Sequence, residues 1–175
     1  MNSVSLRLDD RGRRVNPFIC SSSQLASALQ EACNWFTGVP NSMFRNVQPL
    51  LVPYLNAPRE NHAIASAFGA RLGGKKPCVM MQNSGLGFCG DALYGLFHLY
   101  GQGVLLLITW RGELQWEETQ HQHWGRRTLE TLSVLDVPVF DLQTHGLGAT
   151  AQAAEQAFVE NRPAAVLLHR GNIDE

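Results

Sequence analysis

The sequence predicts an α/β fold, an open and mostly parallel sheet with helices on both faces. Three observations carry this. Short apolar runs alternate with longer segments of helical character, the pattern of strands laid parallel through crossover helices. The run Val104-Leu105-Leu106-Leu107-Ile108-Thr109 is apolar up to its last residue, as a strand covered on both faces must be. A turn, Asn83-Ser84-Gly85-Leu86-Gly87, comes just after a second apolar run, Cys78-Val79-Met80-Met81, and before helix-compatible sequence from Ala92 to Tyr100. Strand, glycine turn and helix in that order form a usual ligand-holding passage of α/β proteins.

The elements follow in order. Residues 1–20 have no clear periodicity and are rich in Arg, Asp, Asn and Ser, so they read as an N-terminal arm; the domain runs over 21–175. Arg11-Gly12-Arg13-Arg14 is a solvated basic run within that arm. Ser21-Ser22-Ser23 caps a helix from Gln24 to about Thr37, with Leu25, Ala28, Leu29, Ala32 and Phe36 on one face. Gly38-Val39-Pro40-Asn41-Ser42 breaks it, and Asn41 or Ser42 caps a second helix reaching Leu50. Leu51 to Leu55 is a short strand, and Pro53 places it at an edge or at a strand start. Glu60 to Leu72 is an alanine-rich helix ended by Gly73-Gly74. Strands are predicted at Lys76–Met81, Val104–Thr109, Val137–Leu142 and Ala164–Leu168. Helices are predicted at Ala92–Tyr100, Arg126–Leu135 and Ala149–Glu160, with a polar segment from Arg111 to His123.

The 175 residues, 45% of them hydrophobic, suit one domain with a proper core. Fourteen basic and fifteen acidic residues give a net charge of −1, so nothing global attracts nucleic acid or an anionic membrane. Cys20, Cys33, Cys78 and Cys89 form no CxxC pair, which argues against a zinc ribbon or a thioredoxin-like site. With no apolar leader and no run of ~20 apolar residues, a cytoplasmic location is expected.

In such a sheet, ligands lie beyond the carboxyl ends of the strands. That groups residues 82–87 with 110–123, and Gly38–Ser42 and the helix start at Glu60 join them. Glu60 suits the helix dipole whatever else it does. The 83–87 turn is either a simple strand-to-helix connection or a backbone cradle. It is neither GxGxxG nor followed by Gly-Lys-Ser/Thr, which rejects dinucleotide and Walker sites. Arg111, after the central strand, can grip a carboxylate with two hydrogen bonds or pair with Glu113, Glu117 or Glu118. His121-x-His123 is a possible metal pair without a convincing third ligand. A loop this polar after a central strand tends to be functional.

The combination of Gly38-Val39-Pro40-x-Ser42, Glu60, Gln82-Asn83-Ser84-Gly85-Leu86-Gly87, Trp110-Arg111-Gly112-Glu113 and Glu118-x-Gln120-His121 with Gly125 resembles the pyrimidine-binding domain of thiamine diphosphate-dependent decarboxylases. Within that class it is most similar to the sulfopyruvate decarboxylase alpha subunits and the phosphonopyruvate decarboxylases. The resemblance covers roughly residues 24–170. It implies a thiamine diphosphate-binding fold of pyrimidine type and a carbon–carbon lyase acting on a 2-oxo acid. It implies that Glu60 hydrogen-bonds the aminopyrimidine and favours its imino tautomer. Gly38, Val39, Pro40, Asn83, Ser84, Gly85 and Leu86 would line the cofactor. Ser42, Asn83, Arg111, Gln120 and His121 would face the substrate, with Gln120 orienting His121 as a second catalytic group.

In this family the diphosphate and Mg²⁺ are held by a Gly-Asp-Gly sequence with a later Asn-Asn pair. Here Gly90-Asp91-Ala92 has no Asn-Asn after it. The resemblance therefore implies a beta chain that holds the diphosphate and Mg²⁺, with an α2β2 assembly or a multiple. Phe88 and Asp91 stand where the family has asparagines, which leaves the identity of the 2-oxo acid open. A carboligase or synthase subunit and a non-catalytic regulatory subunit of the same fold are the alternatives.

Overall fold

The computed structural model describes residues 17–114 and 116–174. The chain begins with β1 (Cys20–Ser21) and α1 (Ser22–Ala32). Ser21 caps α1: its hydroxyl accepts from Gln24 N at 3.1 Å, while Gln24 Oε1 accepts from Ser21 N at 2.9 Å, a reciprocal capping box. The helix ends at Ala32 and not near Thr37. Trp35–Gly38 is instead strand β2, paired in parallel with β3 (Tyr54–Asn56) on one side and β4 (Pro77–Gln82) on the other. Phe36 falls on the helical period of α1, but Trp, Phe and Thr suit a pleated buried surface, and pairing on both sides decides the outcome.

The second helix expected up to Leu50 is absent. Two 3-10 turns, Ser42–Phe44 and Gln48–Leu50, take its place. Asn41 caps the first, its Oδ1 accepting from Met43 N at 3.0 Å. Pro49 lacks the N–H that an α-helix through this segment would need. β3 lies at the sheet edge, in keeping with Pro53 just before it. Next comes α2 (Glu60–Leu72), whose limits match the expected ones, then β4 and a 3-10 turn over Asn83–Phe88. α3 (Gly90–Ala92) runs on as a π-helical segment, Leu93–His98, to β5 (Leu105–Trp110). α4 (Thr119–Val134) begins inside the segment expected to be a polar loop, so His121 stands in its first turn. β6 (Val139–Asp141), α5 (Leu142–His145), α6 (Gly148–Phe158), β7 (Ala164–His169) and β8 (Ile173–Asp174) complete the chain.

The main sheet has the order β3-β2-β4-β5-β7-β6, with every pairing parallel. Its central strands are buried on both faces and alternate between two cores. Cys78, Met80, Leu105, Leu107 and Val166 pack with α1 and α6; Val79, Met81, Leu106, Ile108 and Leu167 pack with α2, the α3 region and α4. All four cysteines are free and buried. Among the described residues no helix is long and apolar enough to cross a membrane.

Residues 17–20 are not an arm. Cys20 pairs with Ile173 in a small parallel sheet, Phe18 N donates to Gln143 Oε1 at 3.1 Å, and Asn172 Nδ2 donates to Phe18 O at 2.7 Å. The remainder of the expected arm, Arg11–Arg14 included, lies outside the described residues.

Candidate active site at the carboxyl edge of the sheet

β2, β4 and β5 end at Gly38, Gln82 and Trp110, and α2 starts beside them at Glu60. Two glycines set how closely these parts meet. At Gly38 a Cβ would run into Met80 O, and Val39 N continues the pairing by donating to that oxygen at 3.1 Å. At Gly85 a Cβ would lie 2.6 Å from both Cδ and Oε1 of Glu60. The carboxylate of Glu60 is thus seated on the bare backbone of the 83–88 turn. Cys89 closes that turn, its Sγ donating to Gly85 O at 3.2 Å. Burial, and after it the charge of Glu60, push the Cys89 thiol up to about 12, so it stays protonated at neutral pH. Glu60 itself is half-buried and makes no hydrogen bond or ion pair among the described residues. A partly desolvated carboxylate without an internal partner is poised for an external one.

Asn83 is fully buried. Its Nδ2 donates to Arg111 O at 2.8 Å and to Thr128 Oγ1 at 2.9 Å, and its Oδ1 accepts from Arg111 N at 3.3 Å. Its side chain therefore joins β4, β5 and α4 and is not available to line a pocket. Arg111 is similarly occupied. Nε donates to Glu117 Oε1 at 3.2 Å, Nη2 to Glu118 Oε2 at 3.0 Å and Nη1 to Ser42 Oγ at 3.5 Å, with the side chain only 10% exposed. Of the three acids considered for it, Glu117 and Glu118 are its partners. Arg111 thus spends two of its N–H donors on neighbouring acids, and Arg170 Nη1 also approaches Glu117 Oε1, at 3.8 Å.

Glu117 is the hidden member of this group. Its side chain is fully buried, and Oε2 accepts from Gly112 N at 2.8 Å and Leu114 N at 3.2 Å. It fixes the loop that leads into α4. Gly112 has φ +77°, and a Cβ there would strike the backbone of His121, so the loop and the first turn of α4 touch directly. His121 is mostly buried, and its Nδ1 lies 3.5 Å from Glu118 Oε2 without hydrogen-bond geometry. The Glu118 carboxyl is held below the usual carboxylate range, first by its own backbone N–H and then by Arg111. Gln120 is exposed and hydrogen-bonds to nothing among the described residues. It does not orient His121; Glu118 is the polar group beside that ring.

Ser84 is half-buried and accepts from Gln82 Nε2 at 2.9 Å, Leu86 is buried, Val39 is half-buried, and Pro40 and Ser42 are exposed. Phe88 is 55% exposed, and Asp91 is exposed in the first turn of α3. Among the described residues no group of three or more His, Cys, Asp or Glu could hold a metal ion.

Sequence reasoning missed a second polar cluster at this edge. His169 closes β7, 1% exposed, with Nδ1 at 2.8 Å from Glu113 Oε2 and Nε2 at 2.8 Å from Asp141 Oδ1. Ionised carboxylates only accept, so a carboxylate at each ring nitrogen favours the doubly protonated, charged form of the ring. Burial pulls the pKa of His169 down, but the hydrogen bonds and charges of Asp141 and Glu113 outweigh it and the net shift is upward. The ring also stacks near Trp110, with centroids 5.2 Å apart. The loop after β5 is thereby tied to the ends of β6 and β7. Glu113, Asp141 and His169 are far apart in the chain, and no local motif signals the pairing.

No family model matches the chain. It is similar to individual proteins. It is 28% identical over 155 residues to sulfopyruvate decarboxylase subunit alpha of Methanococcus maripaludis, an alignment covering 85% of this chain and 93% of that one. It is 33% identical over 125 residues to sulfopyruvate decarboxylase subunit alpha of Methanothermobacter thermautotrophicus, covering 67% of this chain and 75% of that one. It is 35% identical over 106 residues to phosphonopyruvate decarboxylase of Streptomyces viridochromogenes, covering 60% of this chain but 26% of that protein. The chain thus spans most of the first two and about a quarter of the third.

Proposed function

The chain belongs to the family of sulfopyruvate decarboxylase alpha subunits, and on that premise we propose that it is the alpha subunit of a two-chain, thiamine diphosphate-dependent 2-oxo acid decarboxylase. The observation that carries this reading is Glu60, a half-buried carboxylate with no internal partner, seated on Gly85. Alignment over most of the length of proteins named as alpha subunits supports a partner beta chain. In this reading residues 21–175 form the pyrimidine-binding domain, the beta chain holds the diphosphate and Mg²⁺, and the assembly is α2β2 or a multiple.

The residues fit the pyrimidine end of the cofactor. Gly38, Val39, Pro40, Ser84, Gly85 and Leu86 would hold it, with Asn83 contributing through its backbone, and Glu60 would meet a ring nitrogen. When bound, the cofactor supplies a nucleophilic carbon and an electron sink for loss of CO₂. The protein's own work is then proton control. Glu60 holds or shares a proton with the ring, a task needing an ionisable carboxyl. His121 stands where a proton can be moved near the substrate, beside Glu118. Arg111 acts at one remove, holding Glu118, Ser42 and the loop after β5 in place.

The test is assembly. Co-expressed with its beta chain, the protein is expected to release CO₂ from a 2-oxo acid when thiamine diphosphate and Mg²⁺ are present; the chain alone should not. Calorimetry on the isolated chain should show little affinity for the cofactor. Tight binding by that chain alone overturns the two-chain reading, and an assembled pair inert toward every 2-oxo acid overturns the decarboxylase reading.

Gly85→Ala provides a sharper probe. The new Cβ would occupy the place of the Glu60 carboxyl, and the flexible glutamate is what must move. Stability should fall by about 1–3 kcal/mol, as expected for overpacking. Activity should fall about 10²-fold, because displacements near 1 Å cost that much. Thermal unfolding and CO₂ release on the same preparation separate the two effects.

A further inference from the structure

We propose that Glu118 is the positioning residue of His121: fixed by Arg111, its carboxylate accepts at Nδ1 and so leaves Nε2 of the neutral ring unprotonated, ready to take a proton from the substrate side. The proposal deepens the decarboxylase reading and rests on it. Charges alternate along this wall of the site. Arg170 Nη1 lies 3.8 Å from Glu117 Oε1, Arg111 Nε donates to that same oxygen at 3.2 Å, and Arg111 Nη2 donates to Glu118 Oε2 at 3.0 Å. His121 Nδ1 comes next, 3.5 Å from Glu118 Oε2. Each charge has its opposite beside it, and the series ends at the imidazole. Glu117 anchors it, fully buried and tied to the N–H groups of Gly112 and Leu114.

The Glu118 side chain is 56% exposed, yet it is gripped from behind by a guanidinium that is itself fixed. Its own backbone N–H and Arg111 keep its carboxyl ionised, and an ionised carboxylate can only accept. His121 Nδ1 is buried and makes no hydrogen bond among the described residues, a costly state for a polar nitrogen. Contacts of this kind are often long before substrate binds and tighten when it does. An acceptor at Nδ1 puts the proton there, and the lone pair of the neutral ring is then on Nε2. The side chain keeps 15% of its surface open, and because Nδ1 is buried that open part lies elsewhere on the ring. When Nε2 takes a proton the ring becomes cationic, and Glu118 then faces it with the opposite charge. A carboxylate does these same two things, choosing the tautomer and steadying the cation, for the histidine of a Ser-His-Asp triad. Gly112 closes the arrangement from the other side, since a Cβ there would strike the backbone of His121.

The experiment is a double-mutant cycle on the enzyme assembled with its beta chain. Glu118→Ala should lower kcat and kcat/KM together, by about tenfold to a hundredfold. That is less than the ~10⁴ a wrong tautomer costs a buried Asp–His pair, because water can partly replace an exposed carboxylate. In a His121→Ala background the same change should alter kcat by less than about twofold, since Glu118 has nothing left to act through. An undiminished effect in that background makes Glu118 a prop of the loop and overturns the proposal. So does a Glu118→Ala or His121→Ala enzyme with the kcat of wild type. A second arm needs no turnover. In the full chain labelled with ¹⁵N-histidine, the His121 signals are those that vanish in His121→Ala. The neutral ring should carry its proton on Nδ1 in wild type and on Nε2 in Glu118→Ala. A wild-type ring protonated on Nε2, or the same tautomer in both proteins, overturns the role of Glu118. If the wild-type assembly decarboxylates no 2-oxo acid, the decarboxylase reading fails by itself, and the spectra still decide whether Glu118 sets the ring.

Discussion

Replacing Glu60 by glutamine is expected to lower kcat of the assembled enzyme by about 10²–10⁴-fold, the usual worth of a general acid–base group, while leaving the fold intact. The two side chains share shape and volume, but glutamine has no ionisable proton to share with a ring nitrogen. The structure makes the substitution a clean one. Glu60 forms no hydrogen bond or ion pair among the described residues, so none of those is lost, and its packing on Gly85 is kept by an isosteric amide. The change in stability should stay within about 0.5 kcal/mol. Steady-state CO₂ release and a thermal melt, with the beta chain present in both, provide the check. A variant within threefold of wild-type kcat would remove Glu60 from the mechanism.

The second large effect concerns stability. His169 is expected to make the fold sensitive to alkaline pH. Its pKa is raised in the folded chain, so folding favours the charged ring. That contribution is present in full below the unfolded histidine value of about 6.5, and it fades as pH rises through the higher folded value. Wild type should therefore lose melting temperature between mildly acidic and alkaline solution. His169→Gln should lose about 3–5 kcal/mol at pH 6, the cost of breaking a buried ion pair. The burial of the cluster justifies that figure, with side-chain exposures of 1%, 12% and 16% for His169, Glu113 and Asp141. The variant's melting temperature should also vary less with pH over the same range. Parallel curves for the two proteins would show that His169 is not the titrating group.

Much of this architecture was readable from residue order. The runs at 78–81, 104–109 and 164–168 became β4, β5 and β7 because apolar residues on both faces admit few other fates. The head of α2 at Glu60 was also legible, since alanine spacing and the closing glycines bracket it. β2 was hidden because four residues continuous with an amphipathic helix carry no period of their own; only neighbours on both sides make them a strand. The first turn of α4 was hidden because Thr119–His123 is polar throughout, and a helix exposed at its start shows no apolar stripe. The candidate site divides the same way. Glu60 and its turn belong to local motifs. The partners of Arg111, the buried role of Glu117 and the pairing of His169 depend on distances between chain segments that no local pattern encodes.

Asn83 has one further consequence. Backbone pairing between β4 and β5 runs as far as Gln82 and Thr109. One step on, the Asn83 carboxamide takes both the N–H and the C=O of Arg111 and reaches Thr128 as well. A side chain there imitates one more strand residue and then stops. The gap between these two strands therefore has a gauge: its width at the mouth is set by the length of one amide side chain, and α4 is fastened to the same rivet.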